Sequence, residues 1–337
     1  MKNLSFLDKL FYILNTIIAV LLLLSYLLPF VSPKNIPLFA VLSLLVPVLI
    51  VLNGLFVIYW MVKLKKQVLL SSIALTLGFF FSTPFYKVSE KTSALNTDIK
   101  VMSYNVKSFD WFQTKNEKND LKSGFEFITQ ENPDLILIQE YYQSSKIQLD
   151  FPYKYIKKHN NSSNFGMAIY SKLKIINSGS LELKNTHNNI IFVDVLNQKD
   201  TIRVYNLHLE SLKIKPNEEN FGEENSEKLI KRIGTSFKKQ ADQTALFLEH
   251  QKNWKGKQII GGDFNNTAYS WVYNQIAKDK KDAFIEAGKG FGKTYNYFFP
   301  TRIDFMLTDP TAIINRFTTS SVGYSDHYPI LSKISWP

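Results

Sequence analysis

Six short stretches carry side chains able to handle a metal ion, a water molecule and a phosphate. In chain order they are VMSYNV (101–106) with Asn105, DLILIQE (134–140) with Glu140, VYNLHLES (204–211) with His208, IIGGDFNN (259–266) with Asp263 and Asn265, TRIDFML (301–307) with Asp304, and SDHYPI (325–330) with Asp326 and His327. A carboxylate that closes an apolar strand, as Glu140 does, is held rigidly enough to ligate a metal, although the same position suits a solvated strand end. The Asn105 amide can bond a phosphate oxygen, steady a neighbouring carboxylate or simply close a turn. Asp263 and Asn265 lie two apart, so an extended backbone turns both to one side, where a carboxylate and an amide together orient a water. The two glycines before them allow a close backbone approach or a positive φ. His208 shares a strand face with Asn206, a polar pair where a core wants apolar groups. Asp304 sits between Ile303 and Phe305, where a carboxylate is costly to bury unless paired. A histidine is a suitable partner, because the carboxylate fixes its tautomer and stabilises its cation. Histidine is scarce, five in 337 residues. His327 and its neighbour Asp326 point to opposite sides of an extended chain, so one can face a metal while the other faces a phosphorus centre.

Strands must position these groups. From residue 99 onward, short runs rich in β-branched and aromatic residues alternate with polar loops. Between them lie helical patterns, notably at 120–131 and about 226–252. Many strands with few helices predict an α/β domain of two packed sheets covered by helices. All but Asp304 of the polar groups fall at strand ends, and sheets gather strand ends at a common rim. The segment 213–228 reads as an exposed polar loop. GKGFGKTY (288–295) is glycine-rich but lacks the spacing of a phosphate-binding P-loop.

The first ninety residues have a different character. Runs 10–33, 35–62 and 67–86 contain no Asp, Glu, Lys or Arg. Each reaches the roughly 20 residues a helix needs to cross about 30 Å of hydrocarbon. They predict three transmembrane helices in a membrane domain over 1–90, a polar linker over 91–98 and a catalytic domain over 99–337. The first run is too long, and lacks the small-residue cleavage site, for a signal peptide. Lys2, Lys9, Lys63, Lys65 and Lys66 on one side outnumber Lys34, Lys87 and Lys91 on the other, which predicts a cytoplasmic N-terminus. Three crossings then give a multi-pass protein of the cell membrane, with its catalytic domain on the exocytoplasmic side. The absence of cysteine excludes disulfides and thiolate metal sites. Of the net charge of +11, +6 lies after residue 98, and this moderately basic part suits an anionic partner, although surface charge also serves solubility.

The ordered set of Asn105, "QE", "NLHL", "GDFN", "RID" and "SDH" resembles the endonuclease/exonuclease/phosphatase superfamily, over about residues 99–337. The resemblance implies the deoxyribonuclease-I-like four-layer αββα sandwich, with its site at one edge of the sheets. It implies hydrolysis of phosphoesters with Mg2+ or Mn2+. Glu140 would be the principal metal ligand, with Asn105 and Asp326 close to the ion. Asp263 and Asn265 would position the attacking water. His327, held by Asp304, would act as base or stabilise phosphoryl charge. Asn105, His208 and Asn265 would contact the phosphate. Either Asp263 or His327 can take the proton of the water. Lys107 stands where some nuclease members carry an acidic residue, which favours a single-metal site. His159, His187 and His250 fall outside the motifs and read as surface or loop residues.

Nucleic acid is the expected substrate, with Trp111, Phe112, Tyr141, Tyr142, Trp271 and Tyr273 read as exposed stacking groups. A lipid headgroup is the alternative for an enzyme tethered through residues 1–90 to a bilayer. A catalytically inactive membrane-bound binding module is the other alternative, though it would be expected to have lost one of these acids or histidines.

Overall fold

The computed structural model describes residues 4–95, 97–110, 118–143, 149–213, 223–297 and 299–337. They form two compact units, one of Met1–Phe85, Leu212–Ala241 and Asn266–Gln275, the other of Tyr86–Ser211, Asp242–Asn265 and Ile276–Pro337.

The first unit is helical. The apolar runs become α1 (Phe6–Ser25), α2 (Pro37–Ala40), α3 (Leu42–Val62) and α4 (Val68–Phe81). Two stretches, Phe6–Phe30 and Leu42–Val62, are long and apolar enough to cross a membrane. The third expected span is shorter than its apolar composition suggests. Ser82 is extended and Pro84 biases Thr83 away from helix, so α4 stops after 14 residues. At 1.5 Å per residue that is about 21 Å, short of the hydrocarbon thickness.

Polar side chains point inward in this unit. The buried Asn15 donates to Ser71 Oγ at 2.5 Å and accepts from Trp60 Nε1 at 2.9 Å, which ties α1, α3 and α4 together. Leu10, Ile17, Leu55, Ile58 and Phe79 face outward and are exposed. Ile233 and Phe237 pack with Ala40 and Leu212, while Tyr269 packs with Ile18 and Leu22. Thr267 Oγ1 donates to Ser43 O at 2.9 Å.

The second unit contains two six-stranded sheets. The first comprises β1 (Ile99–Asn105), β2 (Leu135–Tyr142), β3 (Tyr153–Lys158), β4 (Phe165–Ser171), β11 (Ile313–Thr319) and β12 (Ile330–Ser335), in the order β11-β12-β1-β2-β4-β3. The second comprises β5 (Lys174–Ser180), β6 (Ile190–Asn197), β7 (Asp200–His208), β8 (Lys257–Asp263), β9 (Lys281–Asp282) and β10 (Asp304–Thr308), in the order β5-β6-β7-β8-β10-β9. Strand alternation builds the layers. Leu135 and Leu137 turn inward with Val193, Val204, Ile259 and Met306, while Ile136 and Ile138 turn outward. The outer face of the first sheet packs on Phe125 and Ile128 of α5 (Lys118–Glu131). Tyr205 on the outer face of the second meets Phe247 of α6 (Glu223–Gln251) at a ring separation of 5.1 Å. The short helices α7 (Trp271–Ala277) and α8 (Ala283–Ala287) follow β8 and β9 in the chain.

Each sheet has one parallel pair at its centre, β1 with β2 and β7 with β8, and the rest are antiparallel. A parallel pair needs a crossover, here supplied by α5 and α6. Parallel neighbours end together. Asn105 and Glu140 therefore emerge at one end of the first sheet, and His208 pairs directly with Asp263 in the second. Antiparallel register explains the residues that precede their strands. Asp304, at the start of β10, faces Asp263 at the end of β8. Ile330 faces Ser103, so Asp326 and His327 lie just beyond the end of β1.

Both glycines of IIGGDFNN are used, for different reasons. A Cβ on Gly261 would sit 2.5 Å from Leu137 of the facing sheet, so this one is a close approach. Gly262 has φ +141°, and a Cβ there would lie 2.0 Å from the backbone oxygen of Leu207. Gly262→Ala is expected to cost more than about 3 kcal/mol, combining a strained φ with an immovable backbone clash. Gly290, at φ +74° with open space around its Cβ position, is the control. Gly290→Ala should cost only about 1–2 kcal/mol. Thermal unfolding of the full chain in detergent measures both; equal losses would refute the backbone-approach account.

Candidate active site

At the shared rim of the two sheets, Asp263 is the hub. It is fully buried, and its Oδ2 accepts from Asn105 Nδ2 at 3.0 Å. The same oxygen lies 3.7 Å from His208 Nε2 and 3.8 Å from His327 Nε2. His327 turns its other nitrogen to Asp304, 3.0 Å from Oδ2 and 3.2 Å from Oδ1. Glu140 completes the group, 3.3 Å from Asn105 Nδ2 and 3.8 Å from His208 Nε2. Its side chain is 42 % exposed, in contrast to the buried Asp263 and Asp304.

Glu140 owes its position to a bulge. The register of β2 against β4 slips between Ile138 and Tyr141, and Glu140 takes φ +49°, a left-handed conformation that is uncommon for a non-glycine residue. The slip turns the carboxylate toward the second sheet. Asn206 of β7 supports it from beneath, donating to Ile138 O at 3.0 Å and Ala168 O at 3.1 Å. Gln139 Nε2 donates to Asn206 Oδ1 at 2.6 Å.

Asn265 reaches the site differently from expectation. The strand ends at Asp263, and Asn265 has φ +50°. Its N–H donates to Asp263 Oδ1 at 2.7 Å and its Nδ2 to Leu209 O at 3.0 Å. A turn closed by the Asp263 side chain, rather than strand alternation, brings the two together. Asp326 stands at the open edge, where its Oδ2 lies 3.1 Å from Lys107 Nζ. Ser325 Oγ donates to Asn105 O at 2.8 Å, which fastens this loop to β1.

Two residues of the site escaped the sequence reading. Thr294 Oγ1 accepts from the N–H groups of Ile303 and Asp304, at 3.0 and 3.1 Å, and so places the start of β10. The Tyr295 ring meets the His327 ring edge-on at 5.0 Å. Both lie in the glycine-rich stretch GKGFGKTY, which lacks P-loop spacing; the Thr-Tyr step before RID is the available signal. The stacking groups need correction as well. Tyr141 is buried, its hydroxyl 2.6 Å from that of Tyr170, because the bulge returns it to the outer core. Tyr273 is buried in α7. Tyr142 and Trp271 are half-buried, and Trp111 and Phe112 lie outside the described residues. His159 and His187 are exposed, with ring centres 5.4 Å apart, whereas His250 is half-buried against the Tyr205 hydroxyl.

The electrostatics separate the titratable groups. Burial, followed by the charge of His327, lowers His208 to about 3, which keeps it neutral. Burial raises Asp263 to about 7, despite the opposing pull of His327. Burial alone would lower His327; the Asp304 and Asp263 carboxylates outweigh it and raise it to about 10. The arrangement therefore offers a cationic imidazole, a neutral imidazole and a carboxyl group that exchanges its proton near neutrality. Asp263, Asp304 and His327 also present ligand atoms within 4.8 Å of one another.

A family model described as "Endonuclease/Exonuclease/phosphatase family" matches residues 102–327, and a domain of unknown function matches residues 8–85. No curated protein matches the chain. Among solved structures, an endonuclease/exonuclease/phosphatase from Bacteroides vulgatus is 17% identical with TM-score 0.53, covering 71% of this chain and 99% of its own. The human Nocturnin catalytic domain with a bound sulfate anion is 15% identical with TM-score 0.52, covering 73% and 97%. A humanized D. rerio TDP2 is 15% identical with TM-score 0.53, covering 71% and 100%. At such identities the likeness is one of fold.

Because the folded-state value of His327 is raised, its contribution to stability is complete below about pH 6.5 and is lost as the pH climbs toward 10. Asp304→Asn should therefore destabilise the chain by about 3 kcal/mol at pH 6, the cost of breaking a buried pair. The gap in unfolding free energy between wild type and variant should narrow steadily toward pH 9.5. A gap that does not vary with pH would show that the pair carries no charge.

Proposed function

The chain belongs to the endonuclease/exonuclease/phosphatase family, and we propose that it is a membrane-anchored, divalent-metal-dependent phosphodiesterase whose substrate is nucleic acid. The observation that carries this reading is the meeting of Asn105, Glu140, His208, Asp263, Asp304 and His327, spread over more than 200 residues, at one rim.

The donor set fits a hard divalent ion, since it offers oxygen and imidazole and the chain has no thiol. Glu140 and Asp326 are the carboxylates suited to Mg2+ or Mn2+, because both are partly exposed and such ions keep several waters. Asn105 steadies Glu140. We assign the buried Asp263–His327–Asp304 group to proton handling, since Asp304 bonds His327 while Asn105 and Asn265 bond Asp263. When bound, the ion polarises a non-bridging phosphoryl oxygen and supports the leaving group.

The remaining work falls to the side chains. Asp263, raised to about 7, takes the proton of the attacking water at Oδ2, a base matched to neutral pH. His327, held cationic by Asp304, stabilises charge on the phosphoryl group. Neutral His208 donates an N–H to the phosphate and accompanies the leaving oxygen. Asn265 holds Asp263 in orientation through its own N–H. The sulfate anion in the Nocturnin structure supports an anion-binding role for this fold.

Membrane anchoring is supported by a helical unit that turns apolar side chains outward and polar ones inward, the pattern of helices packed in lipid. Asn15, Trp60 and Ser71 lock α4 to α1 and α3, so we propose that all three insert together despite the shortness of α4. The N-terminus is then cytoplasmic and the catalytic domain exocytoplasmic. A C-terminal alkaline phosphatase fusion should be active and a C-terminal fluorescent fusion requiring the cytoplasm dark; the reverse would place the domain inside.

Activity should vanish in EDTA and return with Mg2+ or Mn2+. Glu140→Gln, at the partly exposed edge, should lower kcat by about 10^2–10^4 at an unchanged melting temperature, and Asp263→Asn should lower kcat by a similar factor in protein that thermal melts show to be folded. With wild type, kcat/KM should rise with pH through about 7, as Asp263 loses its proton. Oligonucleotide cleavage should weaken steeply with salt. Cleavage confined to dispersed phospholipid would replace the nucleic-acid assignment with a lipid-headgroup one, and turnover that persists in EDTA would overturn the metal-dependent reading.

A further inference from the structure

The first half of α6 carries its charge on one side and its apolar residues on the other. Residues 226–241 hold five basic residues, Lys228, Lys231, Arg232, Lys238 and Lys239, against a single acidic one, Glu227. At 3.6 residues per turn, Leu229, Ile233 and Phe237 share one face and the basic residues the opposite one. The apolar face is occupied. Ile233 and Phe237 are buried with Ala40 and Leu212, and Leu229, Val41 and Leu44 pack against them. On the other face Lys228, Lys231 and Lys238 are exposed. Arg232 has a framework role, donating from Nη2 to Lys213 O at 3.1 Å.

The surface that α6 rests on fixes its level. Leu42 opens α3, one of the two helices long and apolar enough to cross a membrane, and residues 37–41 lead into it. A helix packed on Ala40, Val41 and Leu44 therefore lies beside the first turn of that span, where headgroups meet hydrocarbon. Asn266 Nδ2 donates to Gln240 Oε1 at 2.8 Å, and Thr267 Oγ1 to Ser43 O at 2.9 Å, which fastens the contact. A Cβ built on Gly234 would lie 3.5 Å from Pro37 Cβ, so that flank of α6 faces the span entrance. Ile230, one turn earlier on the same flank, is 44% exposed. An exposed isoleucine bordered by lysines is the pattern of a helix lying in a membrane interface.

We propose that Lys228, Lys231 and Lys238 bind the headgroups of anionic phospholipids, with Ile230 set into the headgroup boundary. The proposal rests on the membrane-anchoring reading. Each lysine close to an anionic surface favours it by about fivefold. Nucleic acid would satisfy the lysines but would leave Ile230 against a phosphate backbone. A bilayer satisfies both.

The chain has no cysteine, so an introduced one reports a single position. Full-length Ile230→Cys, labelled with bimane, is placed in nanodiscs containing phosphatidylcholine and phosphatidylglycerol, one of them spin-labelled on the upper acyl chain. Leu45→Cys, at an exposed position near the start of α3, is the reference. Bimane at Ile230 should be quenched by both lipids, with about fivefold preference for phosphatidylglycerol at low salt that fades as salt rises. Adding Lys228→Gln, Lys231→Gln and Lys238→Gln should remove the preference at an unchanged melting temperature. Quenching at Leu45 without quenching at Ile230, or quenching at Ile230 with no preference, overturns the proposal. So would a triple variant that keeps the preference but binds a single-stranded oligonucleotide more weakly, since the lysines would then serve nucleic acid. Bimane unquenched at Leu45 as well would sink the anchoring reading, and this proposal with it.

Discussion

The site depends on how the two sheets are held against each other. Asn105, Glu140, Asp326 and His327 come from the first sheet and its loops; His208, Asp263 and Asp304 come from the second. Apolar packing alone resists sliding poorly, because one layer of Leu, Ile and Val contacts resembles the next. Asn206 supplies directionality. Its amide bonds two backbone carbonyls of the opposite sheet and the side chain of Gln139, all in a buried setting where an unmade bond is costly. The two carbonyls belong to Ile138 and Ala168, the last matched pair before the bulge that aims Glu140. A polar residue in a dry layer thus fixes both the register of the sandwich and the direction of the Glu140 carboxylate.

Above that clamp, burial does most of the electrostatic work. The same low-dielectric surroundings move His208 down and Asp263 up, and they would move His327 down were it not bonded to Asp304. Two imidazoles that share one carboxylate thereby hold different charges. Differentiation of like groups by their surroundings lets a small set of side chains hold different charges side by side.

Much of this was legible in the sequence, and the reasons for the exceptions are physical. Strand-end carboxylates could be read because apolar runs with period two predict where strands stop, and parallel neighbours stop together. Asp304 was legible as a paired acid because a carboxylate between Ile303 and Phe305 has no cheap alternative. The bulge at Glu140 was not, since a left-handed φ on a glutamate leaves no mark in residue types. It also carried Tyr141 inward, against the surface role expected of it. The partners of Asn206 lie some forty to seventy positions away, so its polarity could be noticed but not its purpose. Arg302 of the RID stretch is a buried partner of Asp282 at 2.7 Å and stacks on Phe284 and Phe305, a framework role that the motif concealed. The third apolar run shows the limit of composition: it met the length criterion, yet Ser82 and Pro84 ended the helix early.

The helical unit does not end where the apolar sequence does. Ile233, Phe237 and Tyr269, each far downstream, are buried among residues of the first fifty. A gene trimmed at the polar connector would strip the cover from these side chains and leave an oily flank in water. The connector therefore looks like a seam only on paper: excision there would yield a sticky remnant, and a soluble version would require repainting those buried positions with polar groups.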